Sequence, residues 1–289
     1  MNNSSTNTWV IGARPRTLPA AVAPVVVATA LAGSDASLLP ALLALIVSLS
    51  LQVGVNYAND YSDGIRGTDK DRVGPTRITA SGLATPTAVK RAAFTAFGVG
   101  AVAGLGLVVM TSWWLIAVGL AAIFAAWGYT GGKNPYGYLG LGELFVFIFF
   151  GVVATVGTFY VQTEMITSHA LLASVPMGTF ACALLAINNI RDRALDAPAG
   201  KKTLAVRLGD RRARYFFASL IVLGYIAALA IGSPWILLTL LTAPIAFSLV
   251  RGVLGTAQGR ELIPYLAKTG QLQLLFAVIF SVSLVLSHG

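Results

Sequence analysis

A chain of 289 residues with 56% in the hydrophobic class, 11% charged and a mean hydropathy of +0.77 is far from ordinary soluble composition. Soluble domains carry about 25% charged residues, so the composition excludes a water-soluble globular enzyme and makes lipid the solvent for most of the surface. The net charge of +9 comes from 20 Lys and Arg against 11 Asp and Glu; its placement reports membrane orientation and excludes nucleic acid as a partner.

A membrane helix needs about 20 apolar residues. Apolar runs fall at 17–33, 38–58, 91–110, 113–130, 143–161, 170–187, 214–232, 234–250 and 270–287. The expected fold is therefore all-α, a multispanning bundle of about nine transmembrane helices forming one domain over residues 1–289. The first run ends in Ala30-Leu31-Ala32, which imitates a signal-peptidase site. No basic residue precedes it within Met1 to Val10, and the multispanning pattern simply continues, so cleavage is not expected. Gly33-Ser34-Asp35, Thr111-Ser112, Gly131-Gly132 and Gly232-Ser233-Pro234 separate successive runs. Gly98, Gly100, Gly104 and Gly106 in the third run predict close helix packing. The single cysteine, Cys182, excludes an intramolecular disulfide and takes a packing role.

Lys and Arg collect in cytoplasmic segments. With a cytoplasmic N-terminus the inside segments are the N-terminus and the loops after the second, fourth, sixth and eighth runs. These hold Arg14 and Arg16; Arg66, Lys70, Arg72, Arg77, Lys90 and Arg91; Lys133; Arg191 through Arg214; and Arg251, Arg260 and Lys268. All 20 basic residues fall there. A multi-pass protein of the cell membrane, with its N-terminus and motif loops cytoplasmic, is expected.

Acids contribute little to orientation, so the clustered aspartates need another reason. Asn56, Asp60 and Asp63 stand at i, i+4 and i+7 near the end of the second run, with Asp69 and Asp71 beyond; Asn188, Asp192 and Asp196 repeat the face at i, i+4 and i+8 after the sixth. Stacked carboxylates repel one another unless a cation lies between them. Magnesium suits such a site, because it takes oxygen ligands and is usually completed by substrate phosphates. Neighbouring Lys and Arg would take the remaining phosphate oxygens. Two matched clusters favour a diphosphate site at a membrane surface over a solvated charged loop.

The segments "NDYSDGIRGTDKDRVGPTRITASG" (59–82) and "NNIRDRALDAPAGKKTLAVRLG" (188–209) resemble the signatures of UbiA-superfamily prenyltransferases. More narrowly they are similar to the 1,4-dihydroxy-2-naphthoate polyprenyltransferase branch, as are "ARPRTLPAA" (13–21) and "YTGGKNPYGYLGLGELFVFIFFG" (129–151). The resemblance implies helices around a central cavity with the motif loops at its cytoplasmic mouth. It also implies a reaction in which polyprenyl diphosphate and 1,4-dihydroxy-2-naphthoate give demethylmenaquinone, pyrophosphate and carbon dioxide. Superfamily members of the general type place their first-motif acids as a compact set of three, whereas here the third acid is delayed to Asp69.

On this basis Asp60, Asp63, Asp192 and Asp196 are expected to hold magnesium and drive ionisation of the diphosphate, with Asp69 and Asp71 as further candidates. Asn56, Asn59, Asn188 and Asn189 are expected to orient ligands or substrate. Arg66, Arg72, Arg77, Lys201 and Arg207 are candidate phosphate contacts. Lys133, assigned to catalysis, and Tyr136 and Tyr138 either contact the acceptor or anchor the interface. Glu143 is a base or a structural partner; Arg14 and Arg16 serve the site or only the topology. Phe145, Phe147, Phe149 and Phe150 line a dry cavity or pack against lipid. His169 and His288 receive no role. A transporter, whose ion sites usually lie near the bilayer midplane, fits less well because these acids avoid the span centres. A different acceptor is the alternative within the superfamily.

Overall fold

The structure is a computed structural model that describes residues 7–67 and 76–288. The described residues are helical, with no strand among them. A short helix, Thr8–Ala13, precedes α1 (Pro19–Leu31), α2 (Leu38–Arg66), α3 (Pro86–Met110) and α4 (Leu115–Gly128). After a loop come α5 (Gly142–Thr163), α6 (Ser168–Asp196), α7 (Leu204–Leu229), α8 (Pro234–Val253) and α9 (Ile263–His288).

Local chemistry starts and stops these elements where the site needs them. Thr85, Thr167 and Thr203 each turn a hydroxyl onto a first-turn N–H of α3, α6 and α7. Gly67, at φ +71, ends α2 by returning its N–H to the Asp63 and Gly64 carbonyls, which leaves Asp63 and Arg66 in the last helical turn. Gly209, at φ +74, breaks α7, so its apolar membrane portion begins beyond the break, as the run at 214–232 predicts.

Among the described residues seven helices are long and apolar enough to cross a membrane, and the bent pair Thr8–Thr17 with Pro19–Leu31, turning by 52°, makes up to eight. The expectation of about nine helices holds approximately, and the difference in count lies in α4. Trp113 and Trp114 belong to a turn, leaving α4 with 14 residues. At 1.5 Å per residue that is about 21 Å, short of a hydrocarbon core of about 30 Å.

The bundle turns apolar side chains outward: Val102, Val109, Phe124 and Phe247 are 70–76% exposed. In water that would drive aggregation; in lipid it is the solvent-facing surface. The chain is a multi-pass membrane protein. α6 is the central helix, most of its apolar length buried, and it packs with α1, α5, α7 and α9 around Phe180, Phe217, Phe276 and Phe280. α2 and α3 pack through Gly54, where a Cβ would lie 2.3 Å from the Phe97 ring. Where α5 meets α6, a Cβ on Gly151 would lie 2.7 Å from the Gly178 Cα. This close approach occurs inside a π-helical stretch, Phe147–Val153.

Candidate active site

A cavity of about 800 Å³ lies inside the bundle. Much of its wall is apolar, with Leu51, Val55, Leu107, Val118, Phe149 and Phe150 contributing. The motif-bearing ends of α2 and α6 supply Asp63, Asp192 and Asp196 to the same wall, together with Arg77, Arg191 and Lys201.

Asp63 joins the two halves of the site. Its carboxylate accepts from the Tyr138 hydroxyl at 2.5 Å and lies 3.0 Å from the Lys201 ammonium and 3.7 Å from the Arg77 guanidinium. Lys201 is placed by its own backbone, whose N–H donates to the Asp196 carbonyl at 2.9 Å. Tyr138 is held in turn by the Lys202 N–H on its carbonyl at 2.9 Å, and its ring lies 4.9 Å from the Lys201 ammonium and 5.3 Å from the Arg66 guanidinium. Asp192 is gripped by its neighbour Arg191 through two hydrogen bonds of 2.7 Å, while Arg191 Nη1 is buried without a partner among the described residues.

Asp60 does something different. It is fully buried and is not part of the cavity wall. Its two oxygens accept from the Ile78 and Thr79 backbone N–H groups at 3.0 and 2.8 Å. At about 100° per residue, Asp60 stands one step round the helix from Asn59, which does face the cavity. Asn56 and Asp63 of the expected face border the cavity, while Asp60 beside them turns its carboxylate onto the loop after the first motif and pins it.

The asparagines also divide. Asn56 borders the cavity but gives its side-chain amide to the Ala13 carbonyl and Thr17 hydroxyl, accepts from Gln52 on Oδ1, and takes the Arg14 guanidinium on its main-chain carbonyl at 3.2 Å. It thus ties the N-terminal segment to α2. Arg14 and Arg16 both line the cavity. Asn59 accepts from the Thr130 hydroxyl at 2.7 Å. Asn188 and Asn189 lie on the wall, Asn189 donating to Glu143 at 3.0 Å.

Besides Asp60, three further expected residues stay off the wall. Lys133 is exposed. Arg66 spends its guanidinium on the Thr130 and Gly132 carbonyls. Arg207 is exposed and donates to the Lys202 carbonyl at 3.1 Å. Asp69, Asp71 and Arg72 lie outside the described residues. Sequence reasoning does not single out Arg191 or Tyr129 as site residues; Arg191 sits inside the second motif, where its charge reads as topology, and Tyr129 carries no sequence signal.

Tyr129 and Tyr136 form the aromatic side of the chamber with Phe145 and Phe149. Burial pushes both phenols upward, the charge of Glu143 adding to the effect on Tyr129, so both remain protonated donors.

The donor set fits a hard cation. Asp63, Asp192 and Asp196 offer carboxylates and Asn59 and Asn188 amide oxygens from one wall. Among the described residues no three of His, Cys, Asp and Glu converge into a ready-made cage. Magnesium needs none, since it takes one or two carboxylates and completes its shell with waters and phosphate.

An apolar chamber with an ionic mouth, enclosed by membrane helices, defines a class: multi-pass membrane enzymes that handle an amphiphile with an anionic head. Residues 21–268 match the model of the UbiA prenyltransferase family, and the chain belongs to that family. It is 50% identical to a 1,4-dihydroxy-2-naphthoate octaprenyltransferase of Mycobacterium tuberculosis, over 93% of this chain and 94% of that protein. It is 37% identical to the Escherichia coli protein of the same description, over 99% and 97%. Among solved structures, a UbiA homolog from Archaeoglobus fulgidus bound to GPP and Mg2+ superposes with a TM-score of 0.66 at 15% identity, covering 96% of this chain and 99% of that one.

Proposed function

We propose that this chain, acting as one catalytic domain, transfers a polyprenyl group from polyprenyl diphosphate to 1,4-dihydroxy-2-naphthoate in menaquinone biosynthesis. The observation that carries the reaction type is the ionic cluster of Asp63, Asp192, Asp196, Lys201, Arg77 and Arg191 at the mouth of an apolar chamber. The acceptor rests on the relatives, 50% and 37% identical over nearly their whole length. The basic residues favour a cell-membrane location with this mouth on the cytoplasmic side.

Asp63, Asp192 and Asp196 would hold magnesium with the help of Asn59 and Asn188. When bound, the metal neutralises charge on the leaving diphosphate. Lys201 and Arg77 exchange Asp63 for phosphate oxygens, and Arg191 offers the N–H groups of Nη1. As the allylic C–O bond breaks, the electron pair leaves with pyrophosphate. The apolar wall keeps water from the allylic cation, and the faces of Tyr136, Phe145 and Phe149 favour positive charge beside them. A ring carbon of the naphthoate forms the new C–C bond. Loss of the ring carboxylate as carbon dioxide, with a proton taking its place and the ring proton released, leaves the hydroquinone form of demethylmenaquinone.

Purified protein with labelled polyprenyl diphosphate and a panel of hydroxyaromatic acids tests this reading. Magnesium-dependent product with dihydroxynaphthoate is expected. Product with 4-hydroxybenzoate and none with dihydroxynaphthoate would replace the acceptor.

A further inference from the structure

Glu143 begins α5 directly behind the cavity wall, is 6% exposed, and has no part in the steps above. One carboxyl oxygen accepts from Asn189 Nδ2 at 3.0 Å, while the other is buried without a partner among the described residues. Its main-chain carbonyl accepts from the Cys182 thiol at 3.0 Å, which fixes the residue against α6. The Tyr129 ring stands beside it: a Cβ on neighbouring Gly142 would lie 3.3 Å from the ring and 3.6 Å from the hydroxyl oxygen.

Asn189 and Tyr129 do reach the cavity. An amide presents its N–H2 and its carbonyl on opposite sides. The bond from Nδ2 to Glu143 holds the amide in one orientation, and its carbonyl oxygen accepts from none of the described residues. The wall also carries the stacked rings of Tyr136 and Phe145, 4.0 Å apart and inclined by 23°, continued by Phe149 at 6.2 Å and 21°, and Phe145 follows Glu143 closely on α5. A carbonyl acceptor beside a flat aromatic face suits a planar ring bearing a hydroxyl. It suits neither other part of the substrates. The diphosphate is an anion and has cations of its own at Lys201, Arg77 and Arg191, and a prenyl chain has no hydrogen to donate.

We propose that Glu143 is a positioning residue for the aromatic acceptor: it locks the Asn189 amide with its carbonyl toward the cavity, where that oxygen receives an acceptor hydroxyl while the ring lies along Tyr136, Phe145 and Phe149. The proposal rests on the prenyl-transfer reading above and adds where the acceptor sits. It makes Glu143 a determinant of acceptor affinity without contact to either substrate.

The test is steady-state kinetics on the full-length protein with each substrate varied in turn. Glu143→Leu removes the anchor, and the acceptor KM is expected to rise about tenfold, the loss of one hydrogen bond to a site, with the polyprenyl diphosphate KM held within about twofold. Glu143→Gln keeps an oxygen for Asn189 and is expected to restore the acceptor KM. Should Glu143→Leu not be recovered from membranes, Asn189→Ala carries the same expectation. An acceptor KM that does not move, or an equal rise for both substrates, overturns the positioning role. Wild-type protein that fails to use dihydroxynaphthoate overturns the functional reading instead, so the two failures are distinguishable.

Discussion

Asp63 takes partners from three separate stretches of chain: Tyr138 from the loop before α5, Lys201 from the loop after α6, and Arg77 from the loop before α3. Removing one member of a buried ion pair costs about 3–5 kcal/mol, because the partner charge stays behind uncompensated. Asp63→Asn should therefore reduce transfer at least about a hundredfold and also lower the melting temperature in detergent. Asp60→Asn leaves Lys201 and Arg77 paired and weakens only the hold on Ile78 and Thr79. It should cost about 1–2 kcal/mol of stability and expose the 76–84 segment to protease, with a smaller kinetic loss. Equal kinetic losses with no change in proteolysis would put Asp60 among the metal ligands after all. Sequence spacing could bring both aspartates to one side of α2 but could not separate them. The groups that capture Asp60 are backbone N–H donors 18 and 19 residues away, and backbone donors leave no mark in residue type. The second motif was legible for the opposite reason: Asn188, Asp192 and Asp196 all face the cavity because α6 presents that side along its length.

At the level of elements, α5 decides the shape of the chamber. An apolar run at 143–161 is enough to predict a helix there, but hydropathy cannot show that Phe147–Val153 widens into a π turn. A π turn inserts a residue without lengthening the helix and re-aims the side chains on either side of it. Phe145, Phe149 and Phe150 meet the cavity together as a result, whereas Phe147 packs over Gly178. Sequence alone leaves all four phenylalanines between cavity and lipid, and only the helix geometry separates them. Gly151 permits the arrangement, since a Cβ there would come within 2.7 Å of the Gly178 Cα and 3.1 Å of the Ser174 carbonyl. Those are backbone atoms and cannot swing aside. Gly151→Ala should therefore cost about 1–3 kcal/mol and lower turnover by displacing Phe149. Retention of wild-type melting temperature and turnover would show that α5 and α6 separate freely, against the tight packing seen here. The shortfall in α4 belongs to this scale too. Trp113 and Trp114 extend the apolar run, yet hydrophobicity does not tell a helical turn from the turn that precedes it.

Across the whole molecule, opposed charges meet at one end of an otherwise apolar bundle. Asp63 belongs to α2 and Lys201 to the loop after α6, so a ligand placed between them touches both halves at once. The carboxylates of Asp63, Asp192 and Asp196 invite a cation, while Lys201, Arg77 and Arg191 invite an anion, and each set screens the other in the absence of ligand. Pyrophosphate alone must detach Lys201 from Asp63 and leave that carboxylate facing new negative charge. Magnesium alone must compete with the same ammonium. Bound together they satisfy both sets, so their stabilisation should exceed the sum of the two separate effects. A ligand at a hundred times its Kd stabilises by about 2.7 kcal/mol, which is readable as a rise in melting temperature in micelles. The rise should appear with magnesium and pyrophosphate together, vanish on chelation, and be lost in Asp192→Asn, which leaves the cavity volume unchanged. A shift of the same size with pyrophosphate in the presence of a chelator would mean that the basic residues bind the diphosphate without metal. The carboxylates of α2 and α6 would then serve only to hold Lys201, Arg77 and Arg191 in place.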